Sequence, residues 1–267
     1  MKHIFGLSSA FYPESSPENW REAREAGFEQ IEIGMSRRET KQATIALAEK
    51  ICADAQAAGM RIGSFHLPFG HPWEPSSANI GHLKLMLRDL VDTLDVAQRY
   101  GAPIAVLHAS YEPIDAAERA HRLEICRDSV RFLGEEAARR GIRLAVENLP
   151  RTCLGNVADE LLYITDCGKS AGICFDFNHL LQESHEDFLR KAAPYVVTTH
   201  ISDYDRVDEK HWLPGLGVID YPAAVAQLEA AGYRGQWLFE LSRDKAVPGE
   251  VITAQRLMAQ WQSIVKE

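Results

Sequence analysis

The sequence predicts an α/β fold, a single (β/α)8 TIM barrel that occupies residues 1–267 as one domain. Three observations support this prediction. Short apolar runs recur along the chain, amphipathic alanine-rich segments alternate with them, and a glycine stands at most of the junctions. Such alternation is typical of β/α units built on a parallel sheet. A chain of 267 residues with 46% hydrophobic residues can bury the core of one such barrel, for which about 250 residues is usual.

The apolar runs are the predicted strands, since each has the length and composition of a strand buried on both faces. After the opening run HIFGLSS, most of them follow a glycine placed where a helix needs a left-handed residue to end. The junctions read in order EAG-FEQIEI, AAG-MRIGSF, RYG-APIAVLH, RRG-IRLAVE, SAG-ICFD and AAG-YRGQWLFE, with APYVVTTH entering after Pro194. The junction glycines are Gly27, Gly59, Gly101, Gly141, Gly172 and Gly232.

The segments between the strands are the predicted helices. One segment has an apolar stripe made of Leu83, Leu87, Leu90, Val91 and Leu94. Asp115 with Glu118 resembles a capping box that opens the next helix. The last segment presents an apolar face, from Ile252 to Ile264, that we expect to cover the barrel. An open doubly wound sheet would also alternate strands and helices, but it usually carries a glycine-rich phosphate loop after its first strand. The segment GLSSAFYPESS has none, which favours the closed barrel.

Composition disfavours several classes of partner. The chain has 29 basic and 38 acidic residues, a net charge of −9, which repels a phosphate backbone. Arg37, Arg38 and Lys41 lie together, and we interpret them as the solvated opening of a helix. The sequence contains no signal-peptide core and no apolar run of membrane-spanning length. Its five cysteines are widely spaced without a C-x-x-C pair. We therefore expect a cytoplasmic protein without membrane or nucleic-acid partners.

The strand ends carry the functional signal. Carboxyl ends of all eight strands surround one pit in a barrel of this type, so residues distant in sequence become neighbours there. Carboxylates end three predicted strands, at Glu147, Asp176 and Glu240. A carboxylate closing an apolar strand needs a cation, and few Arg or Lys stand at these ends, so a bound metal ion is indicated. Histidines end three other strands, at His66, His108 and His200; Glu32 also ends a strand but is set aside.

Three carboxylates and one imidazole form a hard, oxygen-rich ligand set. It suits one divalent ion, with Mn²⁺ favoured and Mg²⁺, Co²⁺ or Zn²⁺ also compatible. A single histidine at a strand end is more often a hydrogen-bonded structural residue than a ligand. The residues alone therefore leave open which imidazole completes the set.

The motifs that contain these residues resemble the xylose isomerase-like TIM barrel family. Its members include sugar isomerases, ketose 3-epimerases, hydroxypyruvate isomerase, inosose dehydratase and endonuclease IV. The resemblance covers nearly the whole chain, and its weight lies in the order of the motifs, since no single one is specific. They are FHLPFG (65–70), VLHAS (106–110), VENLP (146–150), FDFNH (175–179), HISD (200–203), HWLPGLGVIDY (211–221) and FEL (239–241).

The resemblance implies a role for each matching position. The metal ligands would be Glu147, Asp176, His200 and Glu240, and the two glutamates would also be the catalytic residues that move protons. The predicted substrate-binding residues are His66, His108, His179, His211 and Trp73. Trp73 is included because the loop PFGHPWEPSS, which also carries Phe69, could close over a sugar.

These roles predict a metal-dependent sugar or sugar-phosphate isomerase or epimerase that works through a metal-stabilised enediolate. Its partner would be a small sugar or hydroxy-carbonyl compound, and association of identical chains is left open. One alternative is an endonuclease IV-like zinc phosphodiesterase on abasic DNA; Glu209 stands where that family has an aspartate among its zinc ligands. Others are a metal-dependent dehydratase of a cyclic polyol ketone and a barrel that binds a ligand without turnover.

Overall fold

The computed structural model describes residues 3–35 and 40–265, so Arg37 and Arg38 lie outside the described residues. Its eight strands are all parallel and close in chain order, with the first strand paired to the last. The predicted barrel is thereby confirmed. The strands are β1 Ile4–Ser8, β2 Gln30–Gly34, β3 Arg61–His66, β4 Ile104–His108, β5 Arg143–Glu147, β6 Gly172–Asp176, β7 Val196–Ile201 and β8 Gln236–Phe239. The helices are α1 Pro17–Glu25, α2 Lys41–Ala57, α3 Ile80–Arg99, α4 Arg119–Arg139, α5 Ala158–Ile164, α6 His185–Ala192, α7 Tyr221–Ala230 and α8 Ala254–Ile264.

Five of the six junction glycines behave as predicted, since Gly27, Gly59, Gly101, Gly141 and Gly232 all have a positive φ between a helix and a strand. Gly172 is the exception, and its predicted role as a helix stop is wrong. Gly172 is the first residue of β6. The preceding helix α5 ends earlier, at Ile164, and the positive-φ glycine between the two elements is Gly168. Glycine is needed at 172 for a different reason: a Cβ there would lie 2.6 Å from both γ-carbons of Val197.

Helix α4 also begins differently from the prediction. The proposed capping box fails because the helix starts at Arg119, after Glu118, which makes no capping bond with its side chain. Asp115 instead accepts a hydrogen bond from the backbone N–H of Ala117, two residues on. The side chain of Asp115 therefore stabilises the turn before the helix.

The C-terminal helix α8 packs against the barrel as expected. Leu257, Met258 and Trp261 are buried, and the Trp261 ring centroid lies 5.2 Å from that of Phe239 in β8. All five cysteines are free, and only Cys167 is exposed. In the part of the chain that the structure describes, no helix combines the length and the apolar character that crossing a membrane requires.

Candidate metal centre

Four predicted ligands converge at the carboxyl end of the barrel. Glu147 ends β5, Asp176 ends β6, His200 lies in β7 and Glu240 follows β8 directly. Strand register contributes to this, because Asp176 is paired with His200 across neighbouring strands. One ligand atom from each of the four residues lies within 4.8 Å of the others. Three of the side chains are buried, whereas that of Glu240 is 22% exposed toward the cavity above.

Two atoms at this centre lack hydrogen-bond partners among the described residues. They are Asp176 Oδ2 and His200 Nδ1, both buried. His200 Nδ1 is 2.7 Å from Glu240 Oε2 and 3.4 Å from Glu147 Oε1, without the geometry of a hydrogen bond. Leaving buried polar atoms without partners costs free energy. A divalent ion shared by the four side chains would satisfy both, so the residues present fit such a metal.

Burial and the neighbouring charges shift the pKa values of several side chains at this centre. Burial raises the pKa of Asp176 to about 6, and the negative charges of Glu147 and Glu240 add to the effect. Burial opposes ionisation of Glu240 as well, but the neighbouring His200 cation lowers the pKa of that carboxyl to about 2. Burial by itself would lower the pKa of His200, yet the acidic groups around the ring raise it well above 6.5. Without a metal, this centre therefore retains protons in the neutral pH range.

We expect the affinity for a divalent ion to fall as the pH drops. Asp176 has a raised pKa of about 6, so below that pH it must release a proton to become a ligand, which weakens binding about tenfold per pH unit. The pKa of His200 is also raised, so this imidazole must release a second proton before it can bind the ion. Calorimetric titration with Mn²⁺ at about pH 5.5, 6.5 and 7.5 measures the slope of log K against pH. A slope below about one at the acidic end would contradict this expectation.

Two further groups of potential ligands flank this centre. The first contains His66 and His108, whose Nε2 atoms each lie 3.2 Å from Glu147 Oε2, so Glu147 belongs to this group as well as to the central four residues. On the other side, His179 Nε2 lies 3.2 Å from Glu209 Oε2, and His211 completes a triad with them. The contact with His179 is the largest influence on Glu209, and it lowers the pKa of that carboxyl to about 2. The structure thus brings together all four histidines predicted to bind substrate.

Arg151 is a pit residue that the sequence did not single out. It follows the VENLP motif with a positive φ of 52°, and its guanidinium contacts three carboxylates from two other loops. The distances are 2.7 Å to Glu112, 2.6 Å to Asp208 and 3.0 Å to Glu209. These pairs join the loops after β4, β5 and β7 above the pit. The sequence contains no local signal for these ion pairs, because the partners of the arginine come from other parts of the chain.

A cavity of about 240 Å³ opens above the centre. Phe69 and Tyr111, each 50% exposed, form one wall, and the Phe69 ring centroid lies 4.4 Å from that of His108. Trp73, the predicted substrate-binding residue of the same loop, is not among the lining residues and packs against the hydrophobic core instead. A larger cleft of about 610 Å³ lies at the amino-terminal end of the barrel, but it is the cavity at the strand ends that holds the cluster of carboxylates and imidazoles.

Comparison with known proteins supports the fold. A sequence model of the family described as xylose isomerase-like TIM barrel matches residues 20–261. A D-tagatose 3-epimerase-like protein superimposes with a TM-score of 0.79 at 22% identity, covering 98% of each chain. A 3-keto-D-glucoside 4-epimerase from E. coli gives 0.77 at 22% identity, covering 98% of this chain and 99% of that one. An uncharacterized protein of Sinorhizobium fredii (strain NBRC 101917 / NGR234) is 27% identical over 177 residues, which span 64% of this chain but only 57% of that relative.

Proposed function

The chain belongs to the xylose isomerase-like TIM barrel family, and on that premise we propose that it is a divalent-metal-dependent sugar isomerase or epimerase. One observation carries the proposal. Glu147, Asp176, His200 and Glu240 converge at the base of a small cavity, with two buried ligand atoms left without hydrogen-bond partners. Structural relatives described as epimerases of tagatose, psicose and ribulose type support a ketose as substrate.

In this proposal the two glutamates transfer the proton. A bound divalent ion would polarise the substrate carbonyl and acidify the neighbouring C–H. Glu147 and Glu240 both line the cavity, and the charge of nearby His200 helps to hold the pKa of each carboxyl below its ordinary value despite burial. Both are therefore ionised and able to accept a proton. Because they extend from β5 and from the end of β8, they can act on two faces of a substrate for epimerisation. One glutamate can suffice for aldose–ketose isomerisation.

The cavity favours a small, uncharged sugar. Arg151 is the sole Arg or Lys among the described lining residues, and its charge is already matched by Glu112, Asp208 and Glu209. A phosphate group would need an available cationic clamp, and the surrounding carboxylates would repel it. Phe69 and Tyr111 offer apolar faces against which the carbon skeleton of a sugar can pack.

A zinc phosphodiesterase is the second candidate, and the two flanking ligand groups favour it. With the central four residues, they provide three sites in which the ligand atoms lie within 4.8 Å of one another. The pattern of endonuclease IV has an aspartate at position 209, and Glu209 contacts His179 from that position in this chain. The charge argues in the other direction, because a DNA-binding pit should offer free Arg and Lys, and Arg151 is engaged. A dehydratase would share the central ligands and differ in expelling a hydroxyl group.

Metal content and the reaction catalysed together distinguish these candidates. We expect the purified protein to contain about one divalent ion per chain, lost in Glu240→Ala because that substitution removes one of four ligands. Elemental analysis of both proteins measures this. The metal-loaded protein should also exchange the ketose proton next to the carbonyl with deuterated solvent, followed by NMR. About three zinc ions per chain with cleavage of abasic DNA would instead establish the phosphodiesterase, and loss of water from the sugar would establish the dehydratase.

A further inference from the structure

Glu32 lies behind the metal centre, in β2. Its side chain is fully buried, and both carboxylate oxygens approach His200 Nε2, at 3.1 Å and 3.3 Å. The imidazole stands between Glu32 and the centre, since its other nitrogen, Nδ1, faces Glu147, Asp176 and Glu240. Glu32 belongs to none of the candidate ligand groups among the described residues. Its contact with the histidine therefore calls for a different explanation.

Two carboxylate oxygens beside one ring nitrogen select a single tautomer. Nε2 must carry a hydrogen to be stabilised there, because a nitrogen lone pair facing a carboxylate would be repelled. A neutral imidazole protonated at Nε2 has its lone pair on Nδ1. That is the nitrogen without a hydrogen-bond partner at the centre, and it is the form that can bind a metal ion.

Hydrogen bonds from the barrel interior hold the Glu32 carboxylate in the acceptor role, at Oε2, the oxygen that also forms the hydrogen bond with His200 Nε2. Ser64 in β3 donates its hydroxyl to Glu32 Oε2 at 2.7 Å. Gln236 in β8 donates from Nε2 to the Ser64 hydroxyl at 2.8 Å and to that of Thr198 in β7 at 3.2 Å. Among the ion pairs of the described residues, Glu32 has only His200 as a partner. The barrel interior thus supplies donors that orient the carboxylate and leave its charge directed at the histidine.

We propose that Glu32 is a positioning residue that fixes His200 in the Nε2–H tautomer and so directs Nδ1 at the metal. The inference rests on the proposed function, because it requires an ion at the four-ligand centre. A carboxylate behind a ligating histidine restricts the orientation of the ring and increases the basicity of its other nitrogen. Glu32 would act through His200 and touch neither ion nor substrate.

The hydrogen-bond network also predicts what Glu32→Gln would do. The amide oxygen should take the position beside Ser64, which donates its proton to Glu32 Oε2. The amide NH₂ would then take the place of Oε1, 3.1 Å from His200 Nε2, where two N–H groups would oppose each other, and this favours the tautomer that is protonated at Nδ1. That tautomer offers no lone pair to the ion. We therefore expect Mn²⁺ affinity to fall about 10-fold to 100-fold, the usual loss when such a partner is removed.

Four proteins test this inference: the wild type, Glu32→Gln, Glu32→Asp and Glu29→Gln. Glu29→Gln makes the same chemical change just before β2, at the other end of the barrel, where Glu29 pairs with Arg61. Equilibrium dialysis with Mn²⁺ gives Kd, and thermal unfolding of the metal-free proteins shows whether each one folds. Glu32→Asp keeps the charge and should recover part of the affinity, whereas Glu29→Gln should bind as the wild type does.

The outcomes separate positioning from a purely structural role. The inference is supported if Glu32→Gln binds Mn²⁺ more weakly than the wild type while the unfolding temperature of its metal-free form is at least as high. If Glu32→Gln binds Mn²⁺ like the wild type, or if it only lowers the metal-free unfolding temperature, the positioning role is overturned and the metal centre stands. A wild type that does not bind Mn²⁺, Co²⁺, Mg²⁺ or Zn²⁺ overturns the metal centre and this inference together.

Discussion

Replacing Glu147 or Glu240 by glutamine is expected to lower kcat for ketose proton exchange by at least about 10²-fold, within the range that general acid–base catalysis contributes. Each substitution retains a neutral oxygen at the centre but removes the group that accepts the proton. Both carboxylates line the cavity, and the pKa of each is lowered in spite of burial. Both are therefore ionised at neutral pH, and glutamine cannot accept a proton in their place.

NMR measures the incorporation of deuterium next to the ketose carbonyl. The metal content of every sample is determined as well. Glu118→Gln is the matched control, because it makes the same change on a side chain that is 62% exposed at the start of α4. Loss of exchange in a variant that still holds its ion identifies proton transfer as the missing step. Full exchange in both glutamine variants would eliminate the proposed mechanism.

The second large effect expected is stabilisation of the folded chain by the metal. An ion present at about 100 times its Kd adds about 2.7 kcal/mol to the free energy of unfolding. For a chain of this length that corresponds to a rise in Tm of about 5–10 °C. Asp176→Asn should abolish the rise, because it removes a ligand that is fully buried at the centre.

The same variant should leave the metal-free protein as stable as the wild type or more stable at neutral pH. Burial raises the pKa of Asp176 from 3.8 to about 6, so ionisation of this group destabilises the fold progressively as the pH rises through that interval. Asparagine avoids the cost. Differential scanning calorimetry with EDTA and with Mn²⁺ measures both effects. A metal-induced rise in Tm that persists in Asp176→Asn would place the ion elsewhere.

Much of the barrel could be predicted from local sequence pattern. Buried parallel strands are continuously apolar, so their limits and their polar last residues are visible in the chain. Barrel closure then brings Glu147, Asp176 and His200 together, because the carboxyl ends of the strands surround one pit. The role of each residue as a ligand or catalyst stays a prediction, whereas the fold class and the family are confirmed.

Two differences between the sequence interpretation and the structure concern contacts between parts of the chain that are distant in sequence. Gly172 stands before an apolar run and so resembles a helix stop, but its requirement for glycine comes from Val197 on the neighbouring strand. The sequence favours Trp73 as the aromatic residue of the loop that binds substrate, whereas in the folded loop Phe69 lines the cavity; the residue that contacts a substrate stays a prediction. Both outcomes depend on backbone direction, which a one-dimensional pattern does not contain.

The sequence by itself therefore determined the β/α repeat, the strand ends and the chemical types of residue that face the pit, because these follow from strand and helix periodicity and from the cost of burying charge. Only the tertiary structure decided which groups pair there. Arg151 contacts carboxylates from two other loops, and Glu32, set aside in the sequence, lies behind His200 across the barrel. Such pairs depend on the closure of the sheet and on loop conformation, so their physical cause lies in the assembled fold.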